Sequence, residues 1–195
     1  MLPWIAACLF LTALVSGCVT GPTISAPDLS SLPVCGMDGN EYTGDPGYAL
    51  LDMTESRIGQ IRLIDGEPFK PADCDYFHVA VSPGEHTVHF VYMKSLYLLH
   101  PRGRDPVAFK FNAESGKTYR AIVEKRTLKS FYNCRLVEAG SDKTVYEVDD
   151  CDRDEVRRPA MKEILDAFGG RDAYLEYKSK WWPDEEFEAL HKYLR

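Results

Sequence analysis

The chain has 195 residues, 45% hydrophobic and 12% aromatic, enough to bury the core of one domain with appendages. Its 23 Lys and Arg against 30 Asp and Glu leave a formal net charge of -7, and no basic stripe stands out along it. That excludes a nucleic-acid groove, whose phosphate contacts need clustered cations, and assigns the acidic balance to solubility.

From Leu2 to Val15 the sequence is apolar apart from Thr12. This is shorter than the roughly 20 residues that span a bilayer and has the length of a signal-peptide core, so it predicts export. The run ends in Leu14-Val15-Ser16-Gly17-Cys18. Small residues just before a cysteine, placed after such a run, resemble the lipobox of bacterial lipoproteins. The resemblance implies cleavage after Gly17, diacylglycerol in thioether linkage on Cys18 and acylation of the new amine. Chemically, a thiolate is the nucleophile that can take a lipid, and each buried methylene of the anchor stabilises membrane residence by about 0.8 kcal/mol. No Lys or Arg precedes the run, so the amino terminus alone supplies the usual positive charge. Val19 is not aspartate, which by resemblance to enterobacterial sorting implies the outer membrane, with the protein on its periplasmic side.

Residues Val19 to Pro33 contain no Lys, Arg or aromatic residue and show no periodicity, as expected of a flexible tether. A chain of that length typically reaches some 20 Å. From about Tyr48 the hydrophobic period becomes two. The runs QIRLID, YFHVAV, HTVHFVY, VAFKFN, TYRAIVEK, FYNCRLVE and TVYEV are punctuated by Asp65-Gly66, Pro83-Gly84, Ser115-Gly116 and Ala139-Gly140. Such short alternating runs predict a mainly β fold, an antiparallel β-sandwich of the immunoglobulin-like or transthyretin-like kind. Tyr76 to Tyr92 reads as a hairpin turning at Ser82-Pro83-Gly84-Glu85. Its register pairs Val81 with His86, Val79 with Val88 and Phe77 with Phe90 on the core face.

Two stretches, VSPGEHTVHFVY (Val81 to Tyr92) and FNAESGKTYRAIVE (Phe111 to Glu124), resemble PEGA-type domains and small bacterial envelope lipoproteins of uncharacterised function with a similar β-sandwich. With the strand at Ile58 to Ile64, the resemblance covers about half the chain. It implies a structural or binding module without catalysis. The segment MKSLYLLHPRGRDP, Met93 to Pro106, departs from the pattern as an insertion-like connection.

Beyond Cys151, Pro159 followed by Met161, Ile164, Leu165 and Phe168 has helical spacing that stops at Gly169-Gly170. A second helix is expected after Pro183, with Asp184 to Glu186 at its N-terminus and Phe187, Leu190 and Leu194 on one face. The resulting organisation is a signal peptide over 1–17, lipidated Cys18 and tether over 18–34, a β-sandwich over 35–151 and a helical C-terminal extension over 152–195.

Six cysteines divide by this scheme. Cys8 leaves with the signal, Cys18 takes lipid, and Cys35, Cys74, Cys134 and Cys151 predict two disulfides in an oxidising compartment. The hairpin from FYNCRLVE to TVYEV returns the chain towards Cys134, which favours Cys134 with Cys151 and leaves Cys35 with Cys74. No C-x-x-C pair supports zinc instead.

His78 and His89 fall opposite each other in the Tyr76–Tyr92 register, on the non-core face, as weak candidates for a shared metal; a third ligand would have to come from His100 or Glu85. DDCDRDEVRRPAM, from Asp149, alternates acids like a calcium loop, but Glu155 stands where glycine is needed and Met161 where the bidentate glutamate belongs. It reads as a solvated charged link in which Arg153, Arg157 and Arg158 balance the acids. No Walker loop, G-x-S-x-G or H-E-x-x-H motif occurs, so no cofactor and no enzyme class is indicated. Trp181 and Trp182 cannot easily share one core and are candidate contacts to protein or glycan. The expected role is a lipid-anchored, non-enzymatic envelope protein that holds or contacts another envelope component. The rival readings are a periplasmic enzyme or metal-handling protein using the His78/His89 face, and a soluble secreted binding domain.

Overall fold

A computed structural model describes residues 33–44, 47–54, 58–93, 104–125 and 132–181. The signal segment, Cys18, the tether up to residue 32, most of the 93–106 connection and residues 182–195 lie outside them. The described chain forms ten strands followed by two helices. In order the strands are β1 (Val34–Cys35), β2 (Ala49–Asp52), β3 (Ile58–Ile64), β4 (Glu67–Pro68), β5 (Asp75–Val81), β6 (Gly84–Met93), β7 (Arg104–Ala113), β8 (Thr118–Lys125), β9 (Tyr132–Glu138) and β10 (Lys143–Val148). The helices are α1 (Asp154–Ala167) and α2 (Arg171–Trp181).

Two sheets make a sandwich. The six-stranded sheet runs β1-β5-β2-β8-β9-β10 and the four-stranded sheet β4-β3-β6-β7. The mainly β architecture is the one the alternating runs predict, but two pairings, β1 with β5 and β2 with β8, are parallel. In the first, β1 extends the sheet beyond β5; in the second, β2 lies between β5, to which it is antiparallel, and β8, to which it is parallel. Between the sheets lies one core that includes Leu51, Val79, Val81, Val88, Phe90, Phe109, Tyr119 and Leu136. Each such aliphatic or aromatic side chain contributes about 1.5–3 kcal/mol when fully removed from water.

Local turn chemistry sets several of the joints. Ile64 pairs with Glu67 across Asp65 and Gly66, whose φ values of 53° and 83° are both positive. This is the two-residue turn with mirror-image geometry that an Asp-Gly pair favours and that matches strand twist. Ser82-Pro83, by contrast, does not close a hairpin. β5 belongs to the six-stranded sheet and β6 to the four-stranded one, so the connection carries the chain across the sandwich. Val79 and Val81 still meet the same core as Val88 and Phe90, but from opposite layers. Alternation fixes which face of a strand is buried, not whether its neighbour lies beside it or across from it. β6 instead finds β7, with which it pairs continuously from Gly84 opposite Ala113 to Met93 opposite Arg104.

Both expected disulfides are formed. Cys35–Cys74 joins β1 to the segment leading into β5, with Cα atoms 5.1 Å apart. Cys134–Cys151 closes the end of the β9–β10 hairpin, with Cα atoms 6.0 Å apart. Val148 is the register partner of Cys134, and the Cys151 amide donates to the Tyr132 carbonyl at 2.7 Å, so the chain does fold back as the hairpin requires.

The helices add a third layer over the outer face of the four-stranded sheet, where Leu63 packs with Met161, Ile164, Tyr174 and Tyr177. α1 begins at Asp154, five residues before Pro159. The ring of Pro159 removes only the bond to the Glu155 carbonyl, while Asp154 and Glu155 favour the N-terminal dipole. The stretch from Asp154 is therefore not a solvated link, and Arg157 is almost wholly buried. α1 stops at Gly169-Gly170, both at positive φ, as the glycine pair predicts. α2 follows at once and has no counterpart in the sequence reading; the helix expected after Pro183 falls outside the described residues.

Candidate functional site

The seam between the four-stranded sheet and α1 carries a groove of about 620 Å³, lined among others by Asp65, Glu85, His89, Lys110, Glu163 and Asp166. His89 occupies its floor because Val88 and Phe90 on either side face the core, turning the imidazole outward towards α1. Helical spacing places Glu163 on the flank of the Met161–Ile164 stripe, at the seam edge. His89 Nε2 and Glu163 Oε2 are 2.7 Å apart, with the imidazole 2% and the carboxylate 59% exposed. Burial pushes the His89 pKa down, and it prevails over the Glu163 carboxylate, which pulls the other way; nearby Lys110 adds to the lowering. A neutral ring therefore holds its proton on Nε2 and donates to Glu163. Nδ1 is buried and has no hydrogen-bond partner among the described residues.

His78 lies elsewhere. It sits on the outer face of the six-stranded sheet in a row that crosses three strands, His78 of β5 opposite Asp52 of β2 and Asp52 opposite Arg120 of β8. Nδ1 of His78 is 2.5 Å from Asp75 Oδ2, while its Nε2 is 3.9 Å from Asp52 Oδ1. Asp52 accepts from the Thr54 amide at 3.0 Å, the Thr54 hydroxyl at 2.6 Å and Arg120 Nε at 2.8 Å. Burial opposes its ionisation, but those donors outweigh it and hold the carboxyl below the usual carboxylate range.

The facing pair expected from a Tyr76–Tyr92 hairpin is thus not formed. His78 and His89 look outward from opposite sheets, separated by a sandwich whose layers are about 10 Å apart, far beyond bonds to a common ion of about 2.0–2.1 Å. His89 is opposite Leu63 and Ala108. Glu85 lines the same groove as His89, whereas His100 is outside the described residues. Among the described residues no group of three or more His, Cys, Asp or Glu side chains could hold a metal ion. The third described histidine, His86, lies between Asp65 Oδ2 at 2.7 Å and the Ser82 carbonyl at 2.6 Å. There it braces the Asp65-Gly66 turn against the Ser82-Pro83 crossing.

Trp181 is the last residue of α2. Trp182 and Cys18 lie outside the described residues. Glu163, 74 residues from His89, was not singled out from sequence. Its one available signal was its place beside an apolar helical stripe. Chemically the seam offers a neutral imidazole, carboxylates and Lys110, groups able to exchange protons and bind polar surfaces. Among the described residues neither Ser nor Cys lines the groove. Comparison with known proteins finds no matching family model, curated protein or solved structure.

Proposed function

We propose that this chain is a bacterial envelope lipoprotein, anchored through acylated Cys18 and facing the periplasm from the outer membrane, with a holding or contacting role and no catalysis. The supporting observation is how the cysteines are used. The four downstream of Cys18 are consumed in Cys35–Cys74 and Cys134–Cys151, all four side chains at most 2% exposed. Disulfides of this structural kind persist in oxidising compartments such as the periplasm, which agrees with an export signal. Cys18 remains as the cysteine that neither leaves with the leader nor has a partner in these pairs, and it follows a lipobox-like run.

The tether leads directly into the sandwich, since the Pro33 carbonyl accepts from the Asp75 amide at 2.8 Å beside β1. The folded body would therefore stand within some 20 Å of the anchoring leaflet, at the range of other membrane-attached components. Its partner is a protein or glycan of the envelope, with Trp181 and Trp182 as the aromatic contacts. The carboxylates and imidazoles of the polar clusters are engaged with one another within and between elements of the fold. Detergent phase partitioning of the full-length chain expressed with its leader tests the reading. Wild type should enter the detergent phase and Cys18→Ala the aqueous phase; wild type in the aqueous phase would overturn it.

A further inference from the structure

Polar links fasten the helical layer to the sheet beneath it, the bond from the Tyr177 hydroxyl to the Phe69 carbonyl just after β4 among them. Arg157 of α1 reaches Asp105 of β7 at 3.3 Å, Arg62 Nε of β3 donates to the Tyr174 hydroxyl of α2 at 3.0 Å, and His89 of β6 bonds Glu163 of α1. Arginine and tyrosine keep their protonation across neutral and mildly acidic pH; of the bases in these links, histidine alone changes charge there. We infer that the His89–Glu163 contact is a pH-sensitive latch, and that mild acid releases the C-terminal half of α1 from the four-stranded sheet while neutral pH keeps it docked.

The argument is geometric. With Nε2–H already donating to Glu163, a second proton must go to Nδ1. That atom is buried and faces no hydrogen-bond acceptor among the described residues. Protonation would thus create a buried cation whose new N–H is unpaired, which is far more costly than the bare lone pair it replaces. Burial outweighs the part of this cost that the Glu163 carboxylate offsets. β3 presents Leu63 and β7 presents Ala108 as the register partners of His89, with Lys110 adding positive charge from β7. Asp65, Glu85 and Asp166 border the groove beside Glu163, which meets water over more than half its surface.

The sign is fixed by comparing states. In the docked state the His89 pKa lies below its ordinary 6.5. When the seam opens the ring returns to that ordinary value. The latch is therefore fully closed above about pH 6.5 and weakens as pH falls towards the docked-state pKa, because the open form binds the proton more tightly. Release would bare Leu63 on the sheet and Met161 and Ile164 on the helix, residues that are now almost wholly buried.

Hydrogen exchange along α1 of the full-length protein, with protection factors corrected for intrinsic chemistry, tests the latch between about pH 7 and about pH 5. In wild type the amides of residues 160–167 should lose protection on the order of tenfold, whereas those of β8 and β9 hold theirs. His89→Gln, which retains a donor to Glu163 and cannot titrate, should abolish the difference. Independently of that variant, an NMR titration of the wild-type ring should find His89 below 6.5. Protection in α1 unchanged with pH, an equal loss in His89→Gln, or a wild-type imidazole titrating at or above its ordinary value would each overturn the proposal.

Discussion

Asp105 of β7 and Arg157 of α1 face each other at 3.3 Å with side chains only 3% and 9% exposed, an ion pair sealed between sheet and helix. Arg157 also donates to Asp154 in the first turn of α1, so one guanidinium joins the helix start to the strand. Breaking a buried pair typically costs about 3–5 kcal/mol when one charge is left without any partner. Arg157 keeps Asp154, so Asp105→Ala should lose less than that, on the order of 1–3 kcal/mol, in urea denaturation. The double variant Asp105→Leu with Arg157→Met should regain much of it, because apolar residues of similar volume need no desolvated charge. A double variant as unstable as the single one would show that the contact works by some other means.

The two disulfides should differ in worth. Their sequence separations are 39 for Cys35–Cys74 and 17 for Cys134–Cys151. Loop-closure entropy then assigns about 4 kcal/mol to the first and about 3 kcal/mol to the second. Replacing each pair by serine and comparing urea midpoints under oxidising conditions checks the ranking.

Asp52 makes stability depend on acid. Its folded-state carboxyl lies below the ordinary 3.8, so its contribution is fully present above that value and disappears as pH falls through the folded-state pKa. Asp52→Asn should cost roughly 1–3 kcal/mol at neutral pH, and the gap from wild type should close on acidification below pH 3.8. Unfolding free energies measured at several pH values would reveal the convergence.

Two glycines should respond differently to alanine. Gly66 has φ 83° and open space around an added Cβ, so Gly66→Ala meets only the left-handed backbone penalty of about 1–2 kcal/mol. Gly39 has the same φ, but a Cβ there would land on the Lys70 carbonyl. Gly39→Ala should therefore be clearly the more damaging of the two, as read from thermal midpoints.

The seven longer strands were legible because period-two patterning reports burial, although Phe77 is only half-buried, whereas the short β1, β2 and β4 carry too few residues to show a period. The Asp65-Gly66 turn and Cys134–Cys151 could be read from local chemistry, and Cys35–Cys74 by elimination. Strand neighbours could not. The inward residues of β5 and β6 look alike whether the strands lie side by side or across the core, so Ser82-Pro83 was mistaken for a hairpin turn and His78 was wrongly set opposite His89. The parallel pairings, β1 along β5 and β2 along β8, join strands distant in sequence and have no local signature. The acids and arginines after Asp149 read as a solvated link because nothing near Arg157 announces Asp105, 52 residues earlier in the chain. α2 was missed for a related reason. Its buried Tyr174 and Tyr177 anchor by their hydroxyls, to Arg62 and to the Phe69 carbonyl, as much as by an apolar stripe.

Mass spectrometry of the N-terminal peptide, from chain expressed with its leader in a Gram-negative host, tests the central claim most directly. The account predicts a peptide that begins at Cys18, with diacylglycerol on its sulfur and an acylated amine. A bare Cys18 thiol, or a chain still carrying residues 1–17, would contradict it.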